Sequence, residues 1–584
     1  MNSSASVAVE LTPERKLAGI LAPLFALRTE RDLGIGDVGA LREFVDWAAD
    51  AGFRVVQLLP INETGNDNSP YNAISSVALD PMTIDLHQME DLAIDDLARL
   101  TAGTDLDILR GGPVAYPLVK SLKWTLLRRA YDCFQRNAFR KSNQRARAFR
   151  NFCVAQQGWL EPYAFFHVFM EENAGSERWD AWQEEHQTPY RARVWVSRQA
   201  PEKRRRVERE LRFRRYVQWI AWTQWIEVRS HAESRGVALM GDVPFGVSYY
   251  SADVWAEPDV FDHRWSGGAP PEPLFTDDAF TQKWGQNWGV PLYRWSTMRQ
   301  NGFAWWRQRV GRVRDIFHLF RIDHILGFYR IYGFPWRPQL NAEFLPLTRA
   351  EALERTGGEL PRFHEHDDET PEGKAANRQH GEELLRILLE ETGQHRLIGE
   401  DLGVVPDYVR PSLASLDIPG FKIPIWETNA DGTLTKGEEY PRLSITTFGT
   451  HDHEPLRGYW DRRMAAIEAA ESGDPKLAPS RDEAWRELRM LASWAGFEVP
   501  CITPFDDTVH ERLLGALFAA NSWLAVAMIT DLFATSQRFN VPGAVSESNW
   551  SQRLAHTISD WRNDPELVAR MQRIRKLIET NARI

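Results

Sequence analysis

Eight short runs of apolar, β-branched residues punctuate the chain, and each is followed by a polar or Gly/Pro turn and a helical pattern. The runs are LAGILAPLF (17–25), FRVVQLLPI (53–61), VALMGDVPF (237–245), DIFHLFRIDH (315–324), HRLIGEDLG (395–403), IPGFKIPIW (418–426), LSITTFGTHD (443–452) and LAVAMITDLF (524–533). Between the first two lies a helical stretch, LREFVDWAADAG, that ends on Gly52. Eight strands alternating with helices predict an α/β chain. The fold class is a (β/α)8 TIM barrel with large helical insertions between strands, and its chemistry belongs at the C-terminal ends of those strands.

The spacing of the runs predicts where the barrel is interrupted. A plain βα unit takes about 30 residues. Residues 85–235, between the second and third runs, carry helical periodicity in YPLVKSLKWTLLRRAYDCF and RFRRYVQWIAWTQWIEVRS. We read residues 1–84 as the start of the barrel, 85–235 as a mainly helical inserted subdomain, and 236–584 as the rest, with an active-site loop at 266–290. From Asp323 to Glu400 is 77 positions, and from Glu400 to Asp452 is 52. The second interval fits two units. The first implies an insertion, assigned to the polar stretch at about 340–392. The basic run EKRRRVERELRFRR (202–215) has interleaved Glu at helical spacing, so it reads as a solvated helix face rather than an anion or nucleic-acid site.

Composition narrows the partners. A net charge of −11 argues against a nucleic-acid backbone or an anionic membrane. No apolar run reaches the roughly 18 residues of a membrane span. The N-terminal stretch MNSSASVAVELTPERK lacks the pattern of a secretory signal. Cys133, Cys153 and Cys501 have no CxxC spacing, so neither a zinc site nor a disulfide framework is indicated. A cytoplasmic protein, monomer or homodimer, is the expectation. There is no Gly-rich phosphate loop opening a helix and no EF-hand pattern, so neither a cofactor nor a metal is expected. The chain has 24 Trp. Core packing accounts for more than half of them; the remainder suit flat apolar ligand faces that also need a polar donor.

Three strand ends carry carboxylates. In FRIDHILGF (320–328), Arg321 and Asp323 are two residues apart on a strand and face the same side. The guanidinium favours the ionised form of Asp323, as a nucleophile requires, although an isolated RxD is more often a structural ion pair. In LIGEDLG (397–403), Glu400 and Asp401 alternate, so that one faces the barrel centre and the other supports the loop. In TFGTHDHEP (447–455), Asp452 closes a strand beside His451; HDH without a further ligand at helical spacing is a poor metal site. An ionised carboxylate and a protonated one, flanking a sugar C1, are the equipment of retaining glycosyl transfer.

The order of SPYNAIS (69–75), GDVPFGVSYYSADVW (241–255), GQNWGVPLY (285–293), RIDHILGF (321–328), GEDLG (399–403), GTHD (449–452) and NVPG…NW (540–550) resembles the 4-α-glucanotransferase family. That family includes amylomaltases and disproportionating enzymes of the α-amylase-like barrel group. The match runs from about residue 17 to about residue 553. The resemblance implies Asp323 as nucleophile, Glu400 as acid/base and Asp452 as transition-state stabiliser. It implies Arg321 as the partner of the nucleophile, and His451 and Asp242 around the reacting sugar. Ser69 and Tyr71 match donor-side contacts, Gln286 and Trp288 match cleft residues near the scissile bond, and Asn540 matches a residue near the sugar. Implied substrates are maltooligosaccharides and α-1,4-glucans.

The chain departs from the family at PPEPLF, where Glu272 takes the acidic position and Phe275 is retained, and in the longer stretch TDDAFTQKW that follows. Two alternatives stay open from sequence. One is an α-glucan hydrolase using the same carboxylates; the other is a non-catalytic glycan-binding protein on a decayed barrel.

Overall fold

The computed structural model describes residues 10–272, 278–470, 478–543 and 546–583. Among them are twelve strands: β1 (Leu17–Leu21), β2 (Val55–Gln57), β3 (Ala238–Val243), β4 (Phe261–Ala269), β5 (Gln286–Tyr293), β6 (Leu319–Ile322), β7 (Ile331–Phe334), β8 (Arg362–His364), β9 (Leu397–Gly399), β10 (Gly420–Lys422), β11 (Ser444–Thr446) and β12 (Leu524–Met528). Eight pair in parallel in the order β10-β11-β12-β1-β2-β3-β6-β9. A bond from the Gly399 amide to the Pro419 carbonyl, 2.9 Å, joins the two ends. Each of the eight apolar runs supplies one of these strands, so the TIM barrel expected from their alternation is the fold.

Strand period decides what faces inward. Leu17 and Leu21 of β1, Leu524, Val526 and Met528 of β12, and Phe421 and Ile445 all pack in one cluster inside the barrel. Their neighbours Ala18, Ile20, Ala525 and Ala527 instead meet the surrounding helices. Three strands share this parity and carry it to their ends. Met240, Leu319 and Ile398 are in the interior cluster, so Asp242, Arg321, Asp323 and Glu400, two or four residues further on, also face inward. The opposite end of the barrel is closed by Arg583. It is fully buried and donates to the carbonyls of Phe518 (2.6 Å), Leu17 (3.2 Å) and Trp523 (3.2 Å).

Between β2 and β3 the chain is helical. The 34-residue helix Pro201–Ser234 ends this excursion. Val207 and Leu211 pack with Phe166 and Phe169 beside the barrel, whereas Trp225 packs on Phe317 just before β6, 6.0 Å between ring centres. Its basic run pairs with carboxylates of the neighbouring helix, Lys203 with Glu172 at 3.0 Å and Arg206 with Glu172 at 2.6 Å.

The stretch 340–392 divides into two parts. Short helices Asn341–Phe344 and Arg349–Arg355 precede β8. The helix Pro371–Thr392 buries Leu384, Leu385 and Leu388 in the same cluster as Val310 of helix Ala304–Ile316. It is therefore the crossover that leads into β9, and its polar sequence belongs to its outer face. Strands β5, β4, β7 and β8 form a separate antiparallel sheet in that order. Among the described residues, no helix is long and apolar enough to cross a membrane.

Candidate active site

The C-terminal ends of β3, β6 and β9 are laced together. The Asp323 amide donates to the Val243 carbonyl (3.0 Å), the Glu400 amide to Ile322 (3.0 Å) and the Ile325 amide to Glu400 (3.2 Å). Arg321, 4% exposed in its side chain, stands at the centre. Its Nη1 donates to both oxygens of Asp242, at 2.8 and 2.7 Å. Its Nη2 lies 2.8 Å from Asp323 and 3.9 Å from Glu400. One guanidinium thus collects three carboxylates from three strands. Asp323 is the most open of the three, with 29% of its side chain accessible.

A fourth strand end adds Asp452, after β11. Asn540 Nδ2 donates to its Oδ1 at 2.6 Å, and His451 Nε2 lies 3.3 Å from its Oδ2. The His451 ring is stacked on Tyr71, with centroids 4.9 Å apart. The Tyr71 hydroxyl donates to Asp242 Oδ2 at 2.7 Å. The circuit Arg321–Asp242–Tyr71–His451–Asp452 therefore encloses one polar basin.

The environments push these carboxyls apart. Burial raises Glu400 to about 7, and the Asp323 charge adds to the rise, while Arg321 and the His324 amide (2.8 Å from Oε2) oppose it. Burial also tends to raise Asp452. The His451 charge, its hydrogen bond and that from Asn540 outweigh this and hold the carboxyl well below the usual range. Burial works against the charge on Arg321, but Asp242 and Asp323 raise it well above its ordinary value. A proton held near neutrality on Glu400, with Asp452 held ionised on another strand end, is what acid-base chemistry at neutral pH needs. If Glu400 is the acid, kcat/KM falls about tenfold per pH unit above pH ~7, because that parameter follows the free enzyme. A pH-rate profile flat up to pH 9 would count against the assignment.

The structure also places the other residues expected from sequence. Ser69 Oγ accepts the Tyr71 amide at 3.3 Å, so it shapes the turn that carries Tyr71. Gln286 opens β5, and its Oε1 accepts the Trp288 indole N–H at 3.1 Å. Trp288 is 39% exposed and stands edge-on to His324, 4.8 Å between centroids. Phe275 lies outside the described residues. Beyond that segment, TDDAFTQKW ends in the helix Ala279–Trp284, and Trp284 is buried at 5.5 Å from Trp336. Asp401, the outward member of its pair, accepts from the Phe421 amide (2.6 Å) and Arg410 (2.9 Å). The HDH triplet splits: His453 Nδ1 accepts from the Thr450 amide at 2.9 Å, turned away from the His451 contact. Among the described residues no group of three or more His, Cys, Asp or Glu is arranged to hold a metal.

Three residues of the site have no sequence signal of their own. His324 supplies its amide to Glu400 from a left-handed backbone, φ 47°. Arg538 Nη2 holds the Asp452 carbonyl at 2.8 Å. Trp426, 49% exposed, stands against His453 at 4.9 Å, just past Asp452. It was visible only as the last residue of an apolar run.

Residues 22–558 match the family model described as 4-alpha-glucanotransferase. The chain belongs to this family. It is an enzyme of the transferase class, with 4-α-glucanotransferase (amylomaltase) activity. A 4-alpha-glucanotransferase of Chlamydia pneumoniae is 29% identical over 551 residues, covering 93% of this chain and 92% of that one. Among solved structures, an amylomaltase from Corynebacterium glutamicum is similar at a TM-score of 0.74 and 20% identity, over 97% of this chain and 75% of that one. An amylomaltase from Streptococcus agalactiae, solved in complex with acarbose, is similar at 0.71 and 22%, over 97% and 100%. At these identities the two structures speak to the fold.

Proposed function

We propose that this family member transfers α-1,4-glucan segments by a retaining double displacement with Asp323 as nucleophile and Glu400 as acid/base. Asp323 attacks C1 of the donor, and the C1–O bond breaks as Glu400 protonates the leaving 4-oxygen. Glu400 then removes the proton from the 4-hydroxyl of an incoming sugar, whose oxygen displaces Asp323 from C1. Two inversions preserve the α configuration. Asp452 stabilises the positive charge that develops on the ring and Arg321 keeps Asp323 ionised, while Asp242, Tyr71, His451 and Asn540 bind its hydroxyls.

The observation that carries this reading is the single Arg321 nitrogen at 2.8 Å from Asp323 and 3.9 Å from Glu400. The nearest oxygens of carboxyls sharing one nitrogen at these distances are at most about 6.7 Å apart, which accommodates the retaining separation of about 5–5.5 Å and leaves only the shortest end of the inverting range of ~6.5–9.5 Å. The half-exposed indoles Trp288, next to His324, and Trp426, next to His453, support an acceptor sugar over water, since each is an accessible ring against the residue that follows a site carboxylate in sequence. The acarbose complex of the Streptococcus agalactiae amylomaltase fits the same class of ligand. Cys133, Cys153 and Cys501 are free thiols, in keeping with a cytoplasmic setting.

Incubation with maltotriose tests the reading. Transfer yields a ladder of longer and shorter oligomers; products that are only smaller than maltotriose would establish a hydrolase instead. A glycan-binding protein without catalysis would leave maltotriose intact.

A further inference from the structure

Helix Ala304–Ile316 buries a cation that the proposed reaction does not use. Arg309 is 2% exposed, and its guanidinium lies 5.4 Å from the ring of Trp305 and 5.0 Å from that of Trp306. Its Nε and Nη1 reach no acceptor among the described residues. The Tyr293 hydroxyl is its one side-chain hydrogen-bonding neighbour, and Asp253 acts on it through space with both oxygens engaged by Ser76, at 2.7 Å from the amide and 2.6 Å from the hydroxyl. A buried charge with idle donors is costly. Burial accordingly lowers the Arg309 pKa.

Arg309 borders a cavity of about 10 Å³. That is room for one small occupant. Its walls come from two loops. Asn62, Tyr71 and Ser76 follow β2; Gly246 and Ser248 follow β3. No carboxylate lines it. Ser248 Oγ accepts the Tyr250 amide at 3.3 Å, which leaves its O–H able to donate inward.

We propose that this cavity is a site for a single chloride-sized monovalent anion, held between Arg309 and Ser248. The anion satisfies donors that the protein leaves without acceptors. It also ties the Tyr71 loop to the loop after β3. Because Tyr71 hydrogen-bonds Asp242 in the basin, the anion secures one wall of the donor site from behind. The site stands on its own geometry and does not depend on the reaction proposed above.

The experiment reads binding rather than turnover. Protein is dialysed exhaustively into sodium gluconate, whose anion is too large for the cavity. It is then titrated with sodium chloride or bromide at constant ionic strength while thermal unfolding is followed. The expected result is a saturable rise in Tm with either halide. Crystals grown in bromide should show an anomalous peak between Arg309 and Ser248. Arg309→Met should abolish the saturable rise. If that variant fails to fold, Ser248→Ala should shift the half-saturation point several-fold upward. Equal Tm in gluconate and chloride, no bromide peak, or a titration unchanged in Ser248→Ala would leave a water in the cavity and overturn the proposal.

Discussion

Replacing Asp323 with Ala lowers the transfer rate by at least about four orders of magnitude, as loss of a residue that forms the covalent intermediate does. The loss is chemical rather than structural. Asp323 is the most open carboxylate on Arg321, and Asp242 still pairs with the same guanidinium through Nη1 at 2.8 and 2.7 Å, so the fold survives. The stereochemistry of rescue separates the two carboxyls. With an activated α-maltosyl donor and azide, Asp323→Ala leaves a vacancy on the β face, and azide entering there gives the β-glycosyl azide. Glu400→Ala still forms the Asp323 ester; azide then displaces Asp323 from the α face and gives the α-glycosyl azide. Disproportionation by Asp323→Ala at near the parental rate, or an α-azide from it, would falsify the nucleophile assignment.

The same residues show how far sequence reading reaches and where it stops. The barrel was legible because each strand run is apolar on both faces, and the inward parity carries through to Asp242, Arg321, Asp323 and Glu400. The antiparallel sheet was not. Its strand Phe261–Ala269 ends in SGGA, and glycines in a run read as a turn. Gly268 is there because its Cβ would lie 1.8 Å from the Gln286 carbonyl oxygen, a packing constraint between strands that local pattern does not encode. GQNWGVPLY likewise contains Gly and Pro inside what proves to be β5. His324 and Arg538 act through a backbone amide and through a backbone carbonyl, and such roles leave no residue-type pattern. Helix Pro371–Thr392 reads as an insertion in sequence because its exposed face dominates its composition, whereas its inward leucines decide its place.

Arg321 carries the second large effect, and on stability as well as on rate. In Arg321→Met, Asp242 keeps 1% side-chain exposure but loses its cation, a situation that costs about 3–5 kcal/mol when one partner of a buried pair is removed. Burial already raises Asp242; without Arg321 the rise is larger. A carboxyl whose folded pKa exceeds the unfolded value has its full stability below the unfolded pKa, near 3.9, and loses it as pH rises through the folded pKa. The deficit of Arg321→Met therefore grows from mildly acid toward neutral pH, read as the urea midpoint at each pH. Adding Asp242→Asn removes the stranded charge, so the double variant recovers stability while remaining inactive. Arg321→Lys has one nitrogen where Arg321 uses two, so it keeps the charge but serves only one of Asp242 and Asp323. It should fold and lose about 10²–10³ in kcat, as for one misplaced preorganised donor. An Arg321→Met protein as stable as the parent at pH 7, or a double variant no more stable than Arg321→Met, would show that the guanidinium is not what allows these carboxylates to share one basin.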